Sequence, residues 1–273
     1  GAGLLGHGSN ATTISALGRS LIVPAGNYIG VFADGTAGVG TITIATSAGV
    51  VLGTEKVTFY GDVASIEATP VKSVIAVGAN TTTLKAVAKD ASGVTVGAGT
   101  LYAYSSDVAT ISDSATAVSI VDGVATFTIT GVKTGSANLT VKSGTVFSNA
   151  VPVRVEGTAS TVKVTFDKAT YAPGEAATIS VQVLDAAGLP MSGKTFANLF
   201  TSTGISSTYT FGTGSDVITS ASVTTDTTTV KAYKVFMPMA AGVVTISATG
   251  GTSLPTAGQV AVSASATVVD KSA

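Results

Sequence analysis

The sequence contains no cysteine and no tryptophan, a single histidine (His7), and only two arginines, Arg19 and Arg154. Without cysteine there are no disulfides, no thiolate nucleophile and no cysteine-ligated metal. One histidine without a second His or any Cys makes neither a histidine-rich metal site nor a supported Ser-His-Asp triad. Charged residues make up 11% of the chain, against roughly 25% in ordinary soluble domains, and the formal net charge is −1. The lysines are scattered without a run, so no basic patch exists to follow a phosphate backbone, and nucleic acid is excluded as a partner on charge grounds. No apolar run approaches the roughly 18 to 20 residues of a membrane-spanning helix, and no helix signature with caps is found anywhere. Aromatic residues amount to 6%, too few for the large apolar walls of a deep ligand pocket.

What fills the 273 residues instead is Ala, Val, Thr, Ser and Gly, with hydrophobic residues at 45%. Small apolar side chains make thin cores, such as lie between two facing sheets. Thr supplies polarity without charge, and its β-branch suits an extended backbone. Near-zero net charge weakens repulsion between copies, which favours association.

Internal similarity organises the chain. Gly38 to Ala45 reads GVGTITIA, Gly135 to Lys142 reads GSANLTVK, and Gly242 to Thr249 reads GVVTISAT. Each begins at a glycine turn and places apolar or small residues at alternate positions: Gly40, Ile42 and Ile44; Ala137, Leu139 and Val141; Val244, Ile246 and Ala248. This period of two predicts half-buried antiparallel strands. A further strand follows each, with Val57 and Phe59, with Val151, Val153 and Val155, and from Val260 onward. Ser65 to Ala68 aligns with Thr161 to Val164, and Leu84, Ala86, Ala88 and Asp90 align with Ile179, Val181, Val183 and Asp185, at offsets that agree to within one residue. Both aspartates open a turn, Asp90-Ala-Ser-Gly93 and Asp185-Ala-Ala-Gly188, in which Asp bonds the backbone ahead of it and Gly accepts positive φ.

The expected architecture is therefore all-β: tandem immunoglobulin-like β-sandwiches of about seven strands per complete unit. Residues 1–61 form a partial unit with a Gly-rich leader, 62–157 a full sandwich, and 158–273 a second full sandwich with a longer insertion. GAGLLGHGSN is unpatterned and predicts no opening strand, which leaves His7 a solvated side chain. Either the chain is a piece of a longer tandem protein, or another subunit supplies the missing strands. The linkers at 62–64 and 158–160 are too short to flex freely, which predicts a stiff connection.

Tyr104-Ser-Ser-Asp-Val-Ala-Thr-Ile-Ser112, followed by Asp122-Gly123 and Gly135-Ser-Ala-Asn-Leu-Thr-Val141, resembles the group 2 signature of bacterial immunoglobulin-like domains, with Tyr104 where that family usually has Trp. Asp185-Ala-Ala-Gly-Leu-Pro-Met-Ser-Gly193 resembles the Asp-x-x-Gly-x-Pro turn of invasin- and intimin-type domains. The resemblance implies tandem domains of surface layers and adhesins, a structural or adhesive role outside the cell, and no catalytic residues to carry over.

Chemistry is otherwise sparse. No serine or threonine sits in a strand-to-helix nucleophile elbow, and Gly97-Ala-Gly99 lacks the Lys-Ser of a phosphate loop. No catalytic, cofactor-binding or metal-binding residue is expected. Calcium is the one ion the sequence raises: Asp107, Asp113 and Asp122 are the densest acidic group, but no Asp-x-Asp pattern supports it and turn and strand-edge carboxylates explain them better. Asn10, Asn80 and Asn138 stand in glycosylation sequons. Tyr102 and Tyr104, alternating with Ala103, are expected to fill the core. The segment from Asn198 to Thr229 is expected to form longer strands or a projecting loop. These features predict a non-enzymatic component of an extracellular cell-surface assembly, layer or filament, whose main partner is itself, with a cell-wall or envelope component as a further candidate partner. The alternative is an adhesin stalk or ligand-binding surface module.

Overall fold

A computed structural model of the chain describes residues 2–114, 116–226 and 229–269. Among them the only helical element is one 3-10 turn at Thr256–Gly258. The first strands are β1 (Leu4–Gly8), β2 (Tyr28–Phe32), β3 (Gly38–Ala45) and β4 (Val51–Phe59). They form two separate antiparallel pairs, β1 with β2 and β3 with β4.

Nine strands follow: β5 (Ser65–Pro70), β6 (Val74–Ile75), β7 (Gly78–Lys89), β8 (Thr100–Ser105), β9 (Val118–Ser119), β10 (Val124–Gly131), β11 (Gly135–Ser143), β12 (Val146–Phe147) and β13 (Val151–Val155). One sheet runs β10-β7-β5 and the other β6-β13-β11-β8-β9, with β12 on β11. Their inner faces share one core in which Leu84, Leu101, Phe127, Leu139 and Val141 are fully buried. The remaining strands are β14 (Ala159–Phe166), β15 (Thr170–Tyr171), β16 (Ala176–Asp185), β17 (Thr195–Phe196), β18 (Ser206–Ser207), β19 (Val223–Thr224), β20 (Val230–Phe236), β21 (Gly242–Thr249) and β22 (Ala261–Val268). Here β14-β16-β20 faces β15-β22-β21-β18, and a ribbon of β17 and β19 lies beside them. A second core centres on Ile179, Val181, Phe200, Val235 and Ile246.

The repeat read from the sequence has a backbone cause. Gly38, Gly135 and Gly242, which open β3, β11 and β21, adopt φ of 131°, 155° and 149°, a conformation that a Cβ makes costly. Pairing repeats as well: β2, β10 and β20 precede the three glycine-led strands, and each pairs antiparallel with an earlier strand of its own sheet, β1, β7 and β16.

Three expectations need correction. The glycine-rich leader is a strand: β1 pairs in register with β2, Gly6 opposite Gly30, and Asn27 Nδ2 donates to His7 Nδ1 at 3.0 Å. Glycine erased the alternation for a steric reason, since a Cβ on Gly6 would lie 2.0 Å from the carbonyl oxygen of Ser15. Tyr102 and Tyr104 point outward, and it is Leu101 and Ala103 that are buried. Ala103 stands opposite Val141 and Tyr102 opposite Lys142, so the small residue fits between the close-packed sheets and the tyrosines take the wet face. The described part of the insertion, residues 198–226 and 229, neither projects nor forms long strands. Leu199, Phe200, Ile205, Ile218 and Val223 are buried in the second core, and the segment is tied down by backbone bonds from Ile205 N to Ile218 O at 3.0 Å and from Phe200 N to Ala221 O at 3.1 Å.

Candidate functional site

The polar groups that are both buried and shared between units lie at the two linkers. Asp90, the residue after β7, and Asp185, the last of β16, are both buried, 4% and 2% exposed. Their carboxylates do two jobs. Oδ1 of Asp90 accepts from the amides of Ser92 and Val94, both at 2.9 Å, and Oδ1 of Asp185 accepts from Ala187 and Leu189, both at 3.0 Å. That closes the Asp-x-x-Gly turn, with Gly93 and Gly188 at φ of 79° and 74°. The second oxygen reaches back to the linker: Asp90 Oδ2 accepts from Gly61 N at 2.9 Å and Asp185 Oδ2 from Gly157 N at 3.2 Å. The same carboxylate therefore shapes a hairpin and fastens the chain entering the unit.

The second junction carries more. Arg154, on β13 of the preceding unit, donates through Nη1 to Asp185 Oδ2 at 2.6 Å and through Nη2 to the Pro190 carbonyl. Two residues on, the buried Glu156 accepts from Lys194 Nζ at 2.7 Å and from the Ser192 amide. Two ion pairs thus cross from the end of β13 to the turns around 185–194, with carboxylate side chains 1% and 3% exposed. Buried pairs hold geometry because separating them strands a desolvated charge. At the first junction, Tyr60 packs over Gly97, and Asp90 has no ion-pair partner among the described residues.

The Gly61 amide, and then those of Val94 and Ser92, hold the Asp90 carboxyl below its usual range, 3.8, against the opposing effect of burial. For Asp185 burial would raise the value, but the Leu189 and Gly157 amides and the Arg154 guanidinium outweigh it and the carboxyl is lowered. A carboxyl lowered in the folded state stabilises it above the unfolded value and loses that contribution as pH falls through the folded one. Thermal unfolding is expected to be flat from neutral pH to about 5 and to drop below about pH 4. A melting temperature that instead rises on acidification past pH 4 contradicts the clamp.

The acidic residues singled out for calcium are not brought together. Asp107 caps its own turn, accepting from Ala109 N at 3.0 Å and Thr110 Oγ1 at 2.6 Å. Asp113 accepts from the Ser105 amide at 2.6 Å, and Asp122 sits at φ 49° in the turn before β10. No group of three or more His, Cys, Asp or Glu placed to hold a metal occurs among the described residues. Of the sequon asparagines, Asn10 and Asn138 are exposed. Asn80 is committed to the fold, its Nδ2 donating to the carbonyls of Ala76 at 2.8 Å and Gly78 at 2.7 Å. No helix of the described residues is long and apolar enough to cross a membrane.

The first four strands show a different feature. Nothing in residues 2–61 joins a hydrophobic core, and only Gly6 and Gly40 are buried. Leu17, Ile22, Val50, Val51 and Leu52 are each more than half exposed. A cleft of about 770 Å³ opens between the two hairpins.

No protein-family model and no curated protein matches the chain. Solved structures do. The Escherichia coli adhesin FdeC is 20% identical, with 78% of this chain and 66% of that one covered and a TM-score of 0.29. Domains 5–6 of the surface-layer protein SbsC are 19% identical, covering 78% and 99%, with a TM-score of 0.28. A family 2 glycosyl hydrolase from Bacteroides cellulosilyticus is 9% identical, covering 75% and 28%, with a TM-score of 0.40. Also similar are the Yersinia pseudotuberculosis adhesin InvE, 16% identical, covering 75% and 58%, with a TM-score of 0.28, and the bacterial integrin-binding protein invasin, 17% identical, covering 98% and 52%, with a TM-score of 0.33.

Proposed function

We propose that the chain is a non-enzymatic structural component of an extracellular cell-surface assembly, a surface layer or filament, that forms by association of its own copies. The observation that carries this reading is the repeated linker clamp. Asp90 and Asp185 fasten successive linkers by the same bond, and Arg154 and Glu156 add two ion pairs with buried carboxylates at the second. A lattice repeats its contacts faithfully only if each subunit keeps one shape, and fixed junctions give a tandem chain that property. Sparse charge and a net charge of −1 remove the repulsion that keeps copies apart. Sedimentation velocity at rising concentration tests the reading: growth into species larger than a dimer is expected, and a single monomeric boundary throughout contradicts it.

A second reading, a ligand-binding surface module, is favoured by one observation. Tyr102, Tyr104 and Phe147 are exposed on the outer face of the β8-β11-β12 surface, around Lys142, whose Nζ lies 5.7 Å from the Tyr104 ring centre and 5.1 Å from that of Phe147. Exposed aromatic faces are what a sugar ring stacks on. Retention on a glycan array that disappears in Tyr102→Ala/Tyr104→Ala would favour this reading over the first.

A further inference from the structure

The chain shows twice what belongs at one of its own open edges. β11 lies between β13 and β8, and β21 between β22 and β18. β3 begins with the same left-handed glycine and has a corresponding neighbour on one side, β4, but no strand of the described residues on the other: its sheet has two strands. In both complete units the strand at that place runs antiparallel to the glycine-led one. The vacant side borders the cleft between the hairpins, whose walls include Leu5, Ile22, Ile29, Ile42, Ile44 and Leu52. The edge is also undefended. Strands that stay single are usually blunted by charge or proline, yet β3 reads GVGTITIA, while β4 carries Glu55 and Lys56.

We propose that the free edge of β3 pairs antiparallel with β3 of a second copy of this chain, making a continuous sheet β4-β3-β3-β4 over one shared apolar interior. This inference rests on the self-association reading above and names its contact. A two-fold axis perpendicular to the sheet sets β3 antiparallel to itself, the orientation β8 and β18 take in the other units. The same rotation keeps the apolar faces of both copies on one side. Gly40, Ile42 and Ile44 of each copy then line a single interior, facing the β1–β2 pairs of both. Ile44, 43% exposed, and Ile22, 92% exposed, gain cover that nothing else in the chain supplies. Such an isologous contact closes at two copies, so further growth of an assembly uses other surfaces.

Thr41 and Thr43 are exposed and alternate along β3 with Gly40, Ile42 and Ile44, which places their side chains on the other face of the sheet, so lysines there face solvent in one chain and lie across from each other in the pair. The experiment is sedimentation equilibrium of the 273-residue chain, of Thr41→Lys/Thr43→Lys, of Thr41→Glu/Thr43→Glu, and of the two variants mixed, with circular dichroism to confirm the fold. The proposal expects a monomer–dimer step as the first association of the unaltered chain, ahead of the larger species that other surfaces build, a loss of about tenfold or more in the affinity of that step for each variant alone, and recovery in the mixture, because like charges are opposed and unlike ones matched across the pair. A lysine variant that dimerises as well as the original overturns the β3 contact while leaving self-association standing. A chain that is monomeric at every concentration overturns both. Amide exchange covers the remaining occupant: β3 amides protected in a species sedimenting as a single chain mean that the edge is filled from within one polypeptide, which also overturns the proposal.

Discussion

Asp185→Ala is expected to lower the stability of the third unit by about 3 kcal/mol, because removing one partner of a buried ion pair leaves the other desolvated and unpaired. The substitution takes away four hydrogen bonds at once: two that close the turn, one to the Gly157 amide and one from Arg154. For a unit of this size the loss corresponds to roughly 10–20 °C in melting temperature. Asp185→Asn divides the effect. Its amide oxygen still accepts from Ala187 and Leu189, but its nitrogen turns a donor toward the Gly157 amide and the Arg154 guanidinium, where an acceptor is required. The turn survives and the clamp does not, so the asparagine variant melts between the other two. Calorimetry of the three proteins checks the order, and an alanine variant that melts within about 2 °C of the original refutes the clamp.

Phe200→Ala is expected to cost the same unit about 3–5 kcal/mol, the range for emptying a buried phenylalanine site. Phe200 is 1% exposed and lies in the Ser-, Thr- and Gly-rich insertion, where composition suggests longer strands or a projecting loop. Phe147→Ala, at a ring 57% exposed, is expected to change stability by no more than about 0.5 kcal/mol. Chemical denaturation of the pair distinguishes an insertion that builds the core from one that decorates it: equal, small effects contradict the packing described above.

The all-β class and the order of the glycine-led strands were legible because they are written in local pattern. Period-two alternation in Gly135–Lys142 records which face is buried, and the Asp-x-x-Gly turns record a hydrogen bond within four residues. What escaped was non-local. The second oxygen of Asp90 binds an amide 29 residues earlier, and the partners Arg154 and Asp185 are 31 apart, separations at which composition carries no signal. Parity was missed at β8 because alternation states that two faces differ, not which is inside. Ala103 won the inner face through its pairing with Val141, although the tyrosines are the larger apolar bodies. The β1 strand was missed because glycines at 6 and 8 gave up the alternating side chains so that residues 14–18 could lie against it. Leu199, Ile205 and Ile218 are spaced too irregularly among polar residues to announce that their segment folds inward.

The clamped junctions and the open edge both support the proposal that this chain associates with itself in a repeating way. Electron microscopy of the purified protein over rising concentration tests it most directly. The account predicts ordered sheets or filaments with a constant repeat, and their weakening when β3 carries like charges. Isolated particles of single-chain size at every concentration would contradict it.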